Sequence, residues 1–325
     1  MKFSAESLKK LIKGACYFEI DRGYVTAYKF CKKQIDLMMQ DGYDEFWRER
    51  GIFTAGIRVE LITDSSEISF DYKAQKGTSL RDRSNSVDVW VNGVLYSVLH
   101  LENPCGKVMV DLPSGEKTVA IYLPNDCQFS IKNFQINGKY KSIKNKSPKV
   151  LVIGDSITQG YGAMFSSGSY FNELQRLTGY DMLNQGIGGY RCEPNDLMYV
   201  DNFEPDKIIT FLGTNWYDAP HCYDYENATI GFYKKLTEMY PDKQIMAVSP
   251  IWRGNDDLDK ERFAWCISIV KRECQKYPNI TLIDGYTLVP NVDDCFCDKV
   301  HPNEYGSLML ARNLYREIRR IEFFC

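Results

Sequence analysis

Histidine is scarce here: three residues, His100, His221 and His301, in a chain of 325. Any chemistry that needs an imidazole base is confined to those positions, and a histidine-rich metal centre is excluded. Excess charge of one sign is also missing. The formal net charge is −3, so there is no basic field to hold nucleic acid or an anionic membrane. The basic stretch from Lys139 to Lys149 reads as a solvated connector. No run approaches the ~20 apolar residues of a membrane span. The opening MKFSAESLKKLIKG has neither a continuous apolar segment nor a small-residue cleavage site, so it does not read as a secretory signal. The 11 cysteines are odd in number and scattered, which fits a reduced, cytoplasmic chain. Cys295 and Cys297 form a C-x-C without further ligands at matching spacing and read as free thiols, so no metal is expected.

Core material is ample, with 44% hydrophobic residues, and it is patterned in two ways. From Gly51 to Asn137, short runs alternate apolar and polar residues between turn signals, as in GIRVELITDSS, EISFDY and SVDVWVNGVLYSVLH. Asn92-Gly93 between two such runs predicts a tight hairpin, and Pro-Ser-Gly at 113–115 predicts another turn. This half, residues 1–140, is expected to be an antiparallel β-sandwich of jelly-roll type, preceded by a mixed N-terminal segment of unassigned structure. NGKYKSIKNKSPK (137–149) reads as a linker. In residues 141–325, apolar strands (KVLVIG, YDMLNQ, KIITFLG, QIMAVSP, ITLIDG) alternate with helix-length segments. That pattern predicts an α/β domain with a parallel sheet and helices on both faces.

Ligands of open parallel sheets collect beyond the carboxyl ends of the strands. The strand tips here carry Gly154-Asp155-Ser156, NQGIGGYR (184–191), GTNWYDAPH (213–221), SPIWRGN (249–255) and the long DGYTLVPNVDDCFCDKVHPNEYG (284–306). Ser156 leaves a buried strand through a glycine turn, where it is either a helix cap or a nucleophile. A nucleophile needs a base. His100 sits in the β-rich half, His221 at the third tip and His301 in the last loop, where Asp298 precedes it by three residues and could orient it. Oxyanion donors could come from the Ser156 N–H, from a glycine of NQGIGGY and from the Asn215 side chain.

Taken together, GDSIT (154–158), NQGIGG (184–189), GTN (213–215) and DKVHP (298–302) resemble the conserved blocks of the SGNH, or GDSL-type, hydrolases, in that family's order. The resemblance spans Lys149 to the C-terminus and implies a flavodoxin-like hydrolase domain. It implies Ser156 as nucleophile, His301 as general base and acid, and Asp298 as its orienter. The Ser156 N–H, Gly189 and Asn215 become the oxyanion donors. No metal or organic cofactor is implied. GDSIT replaces the GDSL of many members. A β-rich domain ahead of the hydrolase domain resembles two-domain carbohydrate O-acetylesterases such as the family 2 carbohydrate esterases, although some of those lack the orienting acid that Asp298 would supply. Tyr190, Trp216, Tyr217, Trp252 and Arg253 stand near the tips, where rings stack on sugar faces and a guanidinium donates to hydroxyls. An acetylated sugar or oligosaccharide is therefore the expected substrate. The alternatives are a lipid or thioester hydrolase on the same residues, or an acyltransferase.

Overall fold

The computed structural model describes residues 1–77, 85–144, 146–216, 222–254 and 258–324. Its first half is a sandwich of two antiparallel sheets. One sheet runs Ile12–Lys13, Arg58–Thr63, Lys117–Tyr122, Ser86–Val91, Val94–His100, with Tyr140–Ser142 also paired to Arg58–Thr63. The other runs Tyr17–Asp21, Tyr24–Tyr28, Cys127–Ile136, Glu67–Lys76, Cys105–Asp111. Alternation along each strand sends one set of side chains inward. Val59, Leu61, Val119 and Ile121 thus meet Phe70, Phe129 and Phe134 in a common core. The hairpin at Asn92-Gly93 forms as expected. Both residues have positive φ (49° and 77°), the backbone that a type I′ turn requires.

The second half is a parallel sheet in the order Asp181–Gly186, Lys149–Gly154, Lys207–Phe211, Gln244–Val248, Ile280–Ile283. Lys149–Gly154, Lys207–Phe211 and Gln244–Val248 are buried on both faces past their first residue, hence their largely apolar sequences, while Ile280–Ile283 at the sheet edge is mostly half-buried. Val150, Val152, Ile209 and Met246 face the helices Tyr170–Thr178 and Glu304–Phe324. Leu151, Ile153, Ile208 and Ile245 face the helices Cys222–Met239 and Lys260–Cys274. No described helix is long and apolar enough to cross a membrane.

The unassigned N-terminal segment bridges the two halves. It holds the helix Ala5–Lys9, the hairpin Tyr17–Tyr28, and the helices Lys32–Met38 and Glu45–Gly51. Phe30, Ile35 and Met38 lie in the same core as Leu151 and Ile153, so residues between the sandwich strands Tyr24–Tyr28 and Arg58–Thr63 help complete one face of the parallel sheet. A buried polar seam joins the halves further. Ser166 N donates to Ser86 Oγ (2.9 Å), Trp90 Nε1 to Ser167 Oγ (2.9 Å), and the Arg176 guanidinium lies 3.9 Å over the Trp90 ring. The expected linker contains a short strand, Tyr140–Ser142, because its backbone pairs with Leu61–Thr63.

Candidate active site

The strand Lys149–Gly154 is buried from Val150 onward and turns out of the sheet at Gly154, where a Cβ would run into the Thr158 side chain. Asp155 caps the following one-turn helix, Ser156–Gln159, by accepting from Ile157 N–H (2.9 Å). Burial pushes the Asp155 carboxyl up to about 6. The helix stops at Gly160, whose φ of 100° suits only glycine. Ser156 therefore stands at the carboxyl edge of the sheet, on the first residue of a helix.

His301 meets it from the last loop. Ser156 Oγ lies 2.8 Å from His301 Nε2, and His301 Nδ1 lies 2.9 Å from Asp298 Oδ2. The loop between them closes because Lys299 adopts a left-handed conformation (φ 63°) and Asp298 Oδ1 accepts the N–H groups of Val300 (3.1 Å) and His301 (2.8 Å). Burial alone would raise the Asp298 carboxyl. The ring and main-chain hydrogen bonds from His301 outweigh it and hold the group well below the usual carboxylate range. An ionised carboxylate only accepts, so Nδ1 carries the proton and Nε2 is left to accept from Ser156. Tyr161 packs edge-on against the imidazole, with centroids 4.6 Å apart. Pro302 precedes the last helix, and Asn303 caps it through Tyr305 N–H and Gly306 N–H. His100 lies at the end of a sandwich strand and does not line the cleft that holds Ser156. His221 and Tyr217 lie outside the described residues.

Candidate donors line the same cleft. Gly189 (φ 75°) sits in a turn whose neighbouring amides are engaged, Gly188 N–H by Gln159 Oε1 (2.7 Å) and Tyr190 N–H by Ile187 O (3.0 Å). Among the described residues no acceptor is bonded to the Gly189 or Ser156 N–H. Asn215 lies in the turn Thr214–Trp216; one Nδ2 hydrogen goes to Tyr190 O (3.1 Å), leaving the second for the cleft. Ser156, Gly189, Asn215, Asp298 and His301 all line one cleft of about 250 Å³.

Behind the glycine turn is a layer that sequence reasoning missed. Gln159 Nε2 donates to Asp126 Oδ1 (2.6 Å) while its Oε1 holds Gly188 N–H, and Trp47 Nε1 donates to Gly189 O (3.1 Å). Lys29, fully buried, donates to Gly186 O (2.6 Å). Burial lowers the Lys29 ammonium to about 7. The unfolded chain then holds this proton across a range where the folded one releases it. The cost of burying the charge is present below about pH 7 and is relieved as pH rises toward 10.5. Wild type should therefore gain stability over Lys29→Met between pH 7 and 9, by up to about 1 kcal/mol per pH unit. Parallel denaturant-unfolding curves for the two proteins across that range would sink the assignment.

Several expected binding residues lie elsewhere. Tyr190 is 4% exposed. Its turn directs the ring inward against Trp47 (5.2 Å), and its contribution to the cleft is the main-chain carbonyl that holds Asn215. Arg253 does not line the cleft. Its Nη1 donates to Thr214 O (3.0 Å) and Thr214 Oγ1 (3.3 Å), bracing the turn that carries Asn215. Trp252 stacks on Tyr286 (3.8 Å, 8°) and donates to Tyr286 O (3.1 Å), also away from the cleft. The Trp216 side chain lies outside the described residues. In their place the cleft is lined by Gln159 and Tyr161 and by Phe46 and Arg50 of the helix Glu45–Gly51. Nothing in EFWRERG marked those last two as site residues.

Residues 152–307 match the GDSL-like Lipase/Acylhydrolase family. A search of curated protein sequences finds no match. Among solved structures, the chain is similar to a salicylyl-acyltransferase from a tetracycline biosynthetic pathway, with 22% identity and a TM-score of 0.77 over 96% of this chain and 94% of that one. It is also similar to a family two carbohydrate esterase from Clostridium thermocellum in complex with cellohexaose (16% identity, TM-score 0.70, 97% and 100% covered). An acetyl xylan esterase from the rumen bacterium Butyrivibrio proteoclasticus is similar at 15% identity and a TM-score of 0.67, with 98% of each chain covered. At these identities the likeness is one of fold, and it extends over both halves of the chain.

Proposed function

We propose that this chain, whose residues 152–307 form a GDSL-like lipase/acylhydrolase domain, is a serine esterase that removes small acyl groups, acetyl above all, from carbohydrates. His301 Nε2 takes the Ser156 proton as Oγ attacks the ester carbonyl. Asp298 holds the imidazole in the required tautomer and stabilises the imidazolium that forms. The developing oxyanion is met by the Ser156 N–H, the Gly189 N–H and the Asn215 side chain, donors that the turns at the strand tips hold in place before the reaction begins. His301 returns the proton to the departing sugar hydroxyl. Water then enters along the same path and releases the acid, regenerating Ser156.

The observation that carries the choice of substrate is the lining of the cleft. Arg50, Gln159, Tyr161, Asn215, Asp298 and His301 line the cleft with Ser156, and among the described lining residues Phe46 is the single large side chain without a polar group. A long acyl chain needs a run of apolar side chains along its length to recover about 0.8 kcal/mol per methylene, whereas the apolar surface of this cleft of about 250 Å³ comes from the Phe46 and Tyr161 rings and from backbone, with no aliphatic side chain among the described lining residues. A two-carbon acyl group and a hydroxyl-rich leaving group fit it. Fold neighbours described as an acetyl xylan esterase and as a carbohydrate esterase bound to cellohexaose support the same reading. The test is a chain-length series of simple esters together with acetate release from acetylated xylan, mannan and monosaccharides. Acetyl esters should exceed octanoyl esters in kcat/KM by about 10². An octanoyl preference would replace this reading with a lipid hydrolase.

Asn215→Ala should lower kcat by about 10²–10³ with a smaller change in KM, because its second N–H counts most when the oxyanion forms. Steady-state kinetics on an acetyl ester decide it. A raised KM at unchanged kcat would make Asn215 an ordinary binding residue.

A further inference from the structure

Phe46 is 49% exposed, yet it is held firmly. The Arg50 guanidinium lies 3.1 Å from the ring centroid and covers one side, and the ring edge packs so closely on Gly189 that a Cβ there would clash with it. The ring stands on a ridge between two clefts. One is the cleft of Ser156 and His301. The other, about 280 Å³, is lined by Asp44, Trp47 and Arg191 and shares Phe46, Gly189 and Asn215 with the first. The Arg50 side chain is 4% exposed. Both Nη1 hydrogens are engaged, by Phe46 O (2.9 Å) and Glu49 Oε2 (3.2 Å). Its Nε and Nη2 have no acceptor among the described residues, and neither nitrogen is sealed from solvent. A buried guanidinium thus presents an unpartnered edge to the cleft that holds Ser156.

We propose that the helix Glu45–Gly51 builds the subsite for the leaving-group sugar, with the Phe46 ring as its platform and the free edge of Arg50 as its hydrogen-bond donor. This rests on the carbohydrate reading above. With the ester carbonyl against Gly189 and Asn215, the Phe46 ring, packed on Gly189 and lining the same cleft, lies within reach of the leaving group. A flat, half-exposed ring suits the C–H face of a pyranose, while the forked donor edge suits its hydroxyl and ring oxygens. Glu49 already balances the Arg50 charge, and Asp298 lines the same cleft. A neutral, hydroxyl-bearing group is therefore favoured over an anionic one. A second sugar unit would extend across the ridge toward Asp44 and Arg191.

The experiment compares kcat/KM for xylose tetraacetate with kcat/KM for ethyl acetate, an ester without a ring to stack. In Phe46→Ala and Phe46→Leu the sugar-to-ethyl ratio should fall about 3–10-fold, the scale of one aromatic contact. Phe46→Trp, which keeps a ring, should hold the ratio close to wild type, and Arg50→Lys, which keeps the charge but loses the fork, should lower it. Thermal unfolding of each variant checks that the fold is intact. An unchanged ratio in Phe46→Ala and Phe46→Leu overturns the subsite, as does a Phe46→Trp ratio as low as that of Phe46→Ala. A wild-type enzyme that cleaves ethyl acetate but no acetylated sugar overturns the carbohydrate reading itself, and the subsite with it.

Discussion

Ser156→Ala should lower kcat for ester hydrolysis by about 10⁶, the cost of removing the nucleophile of a working serine triad. The fold should not notice. Ser156 occupies the first position of a one-turn helix that is capped by Asp155 and closed by Gly160, and alanine is at home in that backbone. What is lost is one hydroxyl and its 2.8 Å contact with His301 Nε2. The Ser156 N–H, Gly189 and Asn215 remain in place, so residual turnover above the uncatalysed rate is expected from oxyanion stabilisation alone. Turnover should be measured at saturating substrate, with near-UV circular dichroism to show native packing. A folded variant within tenfold of wild type would mean that another group attacks the ester.

Asp298→Asn is the second large effect and the sharper test of mechanism. The asparagine oxygen can keep both main-chain amides of the loop, from Val300 and His301, so the left-handed turn at Lys299 survives. Its amide nitrogen then faces His301 Nδ1 as a donor where a carboxylate accepted. The imidazole must carry its proton on Nε2, pointed at Ser156, and cannot accept. The expected loss is about 10³–10⁴ in kcat at nearly unchanged melting temperature. Asp298→Ala removes the loop acceptor as well and should lose stability together with activity. If both variants retain near wild-type kcat, Ser156 and His301 act as a dyad and Asp298 serves only to shape the loop.

The contrast between these residues and Phe46 shows where sequence reasoning reaches. Ser156, Gly189, Asn215 and His301 sit at turns that end strands or precede a helix, and such turns leave local marks: a glycine where φ is positive, a cap, a switch from apolar run to polar cluster. The alternation of short apolar strands with helix-length segments determined the parallel sheet, and period-two patterning with Asn92-Gly93 determined the sandwich strands. Both signals arise within a few residues, so no partner is needed to read them.

Only the tertiary structure decided which way neighbouring loop side chains point. Tyr190 follows Gly189 directly, yet its ring enters the core because its amide closes the turn onto Ile187 O. Arg253 stands at a strand tip and turns aside to brace Thr214. The helices Lys32–Met38 and Glu45–Gly51 span two turns each, too short for a helical period to stand out, and the surface they bury belongs to strands more than a hundred residues away. Lys29 under Gly186 and the Phe46–Arg50 stack beside Gly189 are likewise contacts between distant segments. The residues proposed to react were legible because local backbone chemistry places them. The walls around them were not, because long-range packing of the N-terminal segment against the parallel sheet creates those walls.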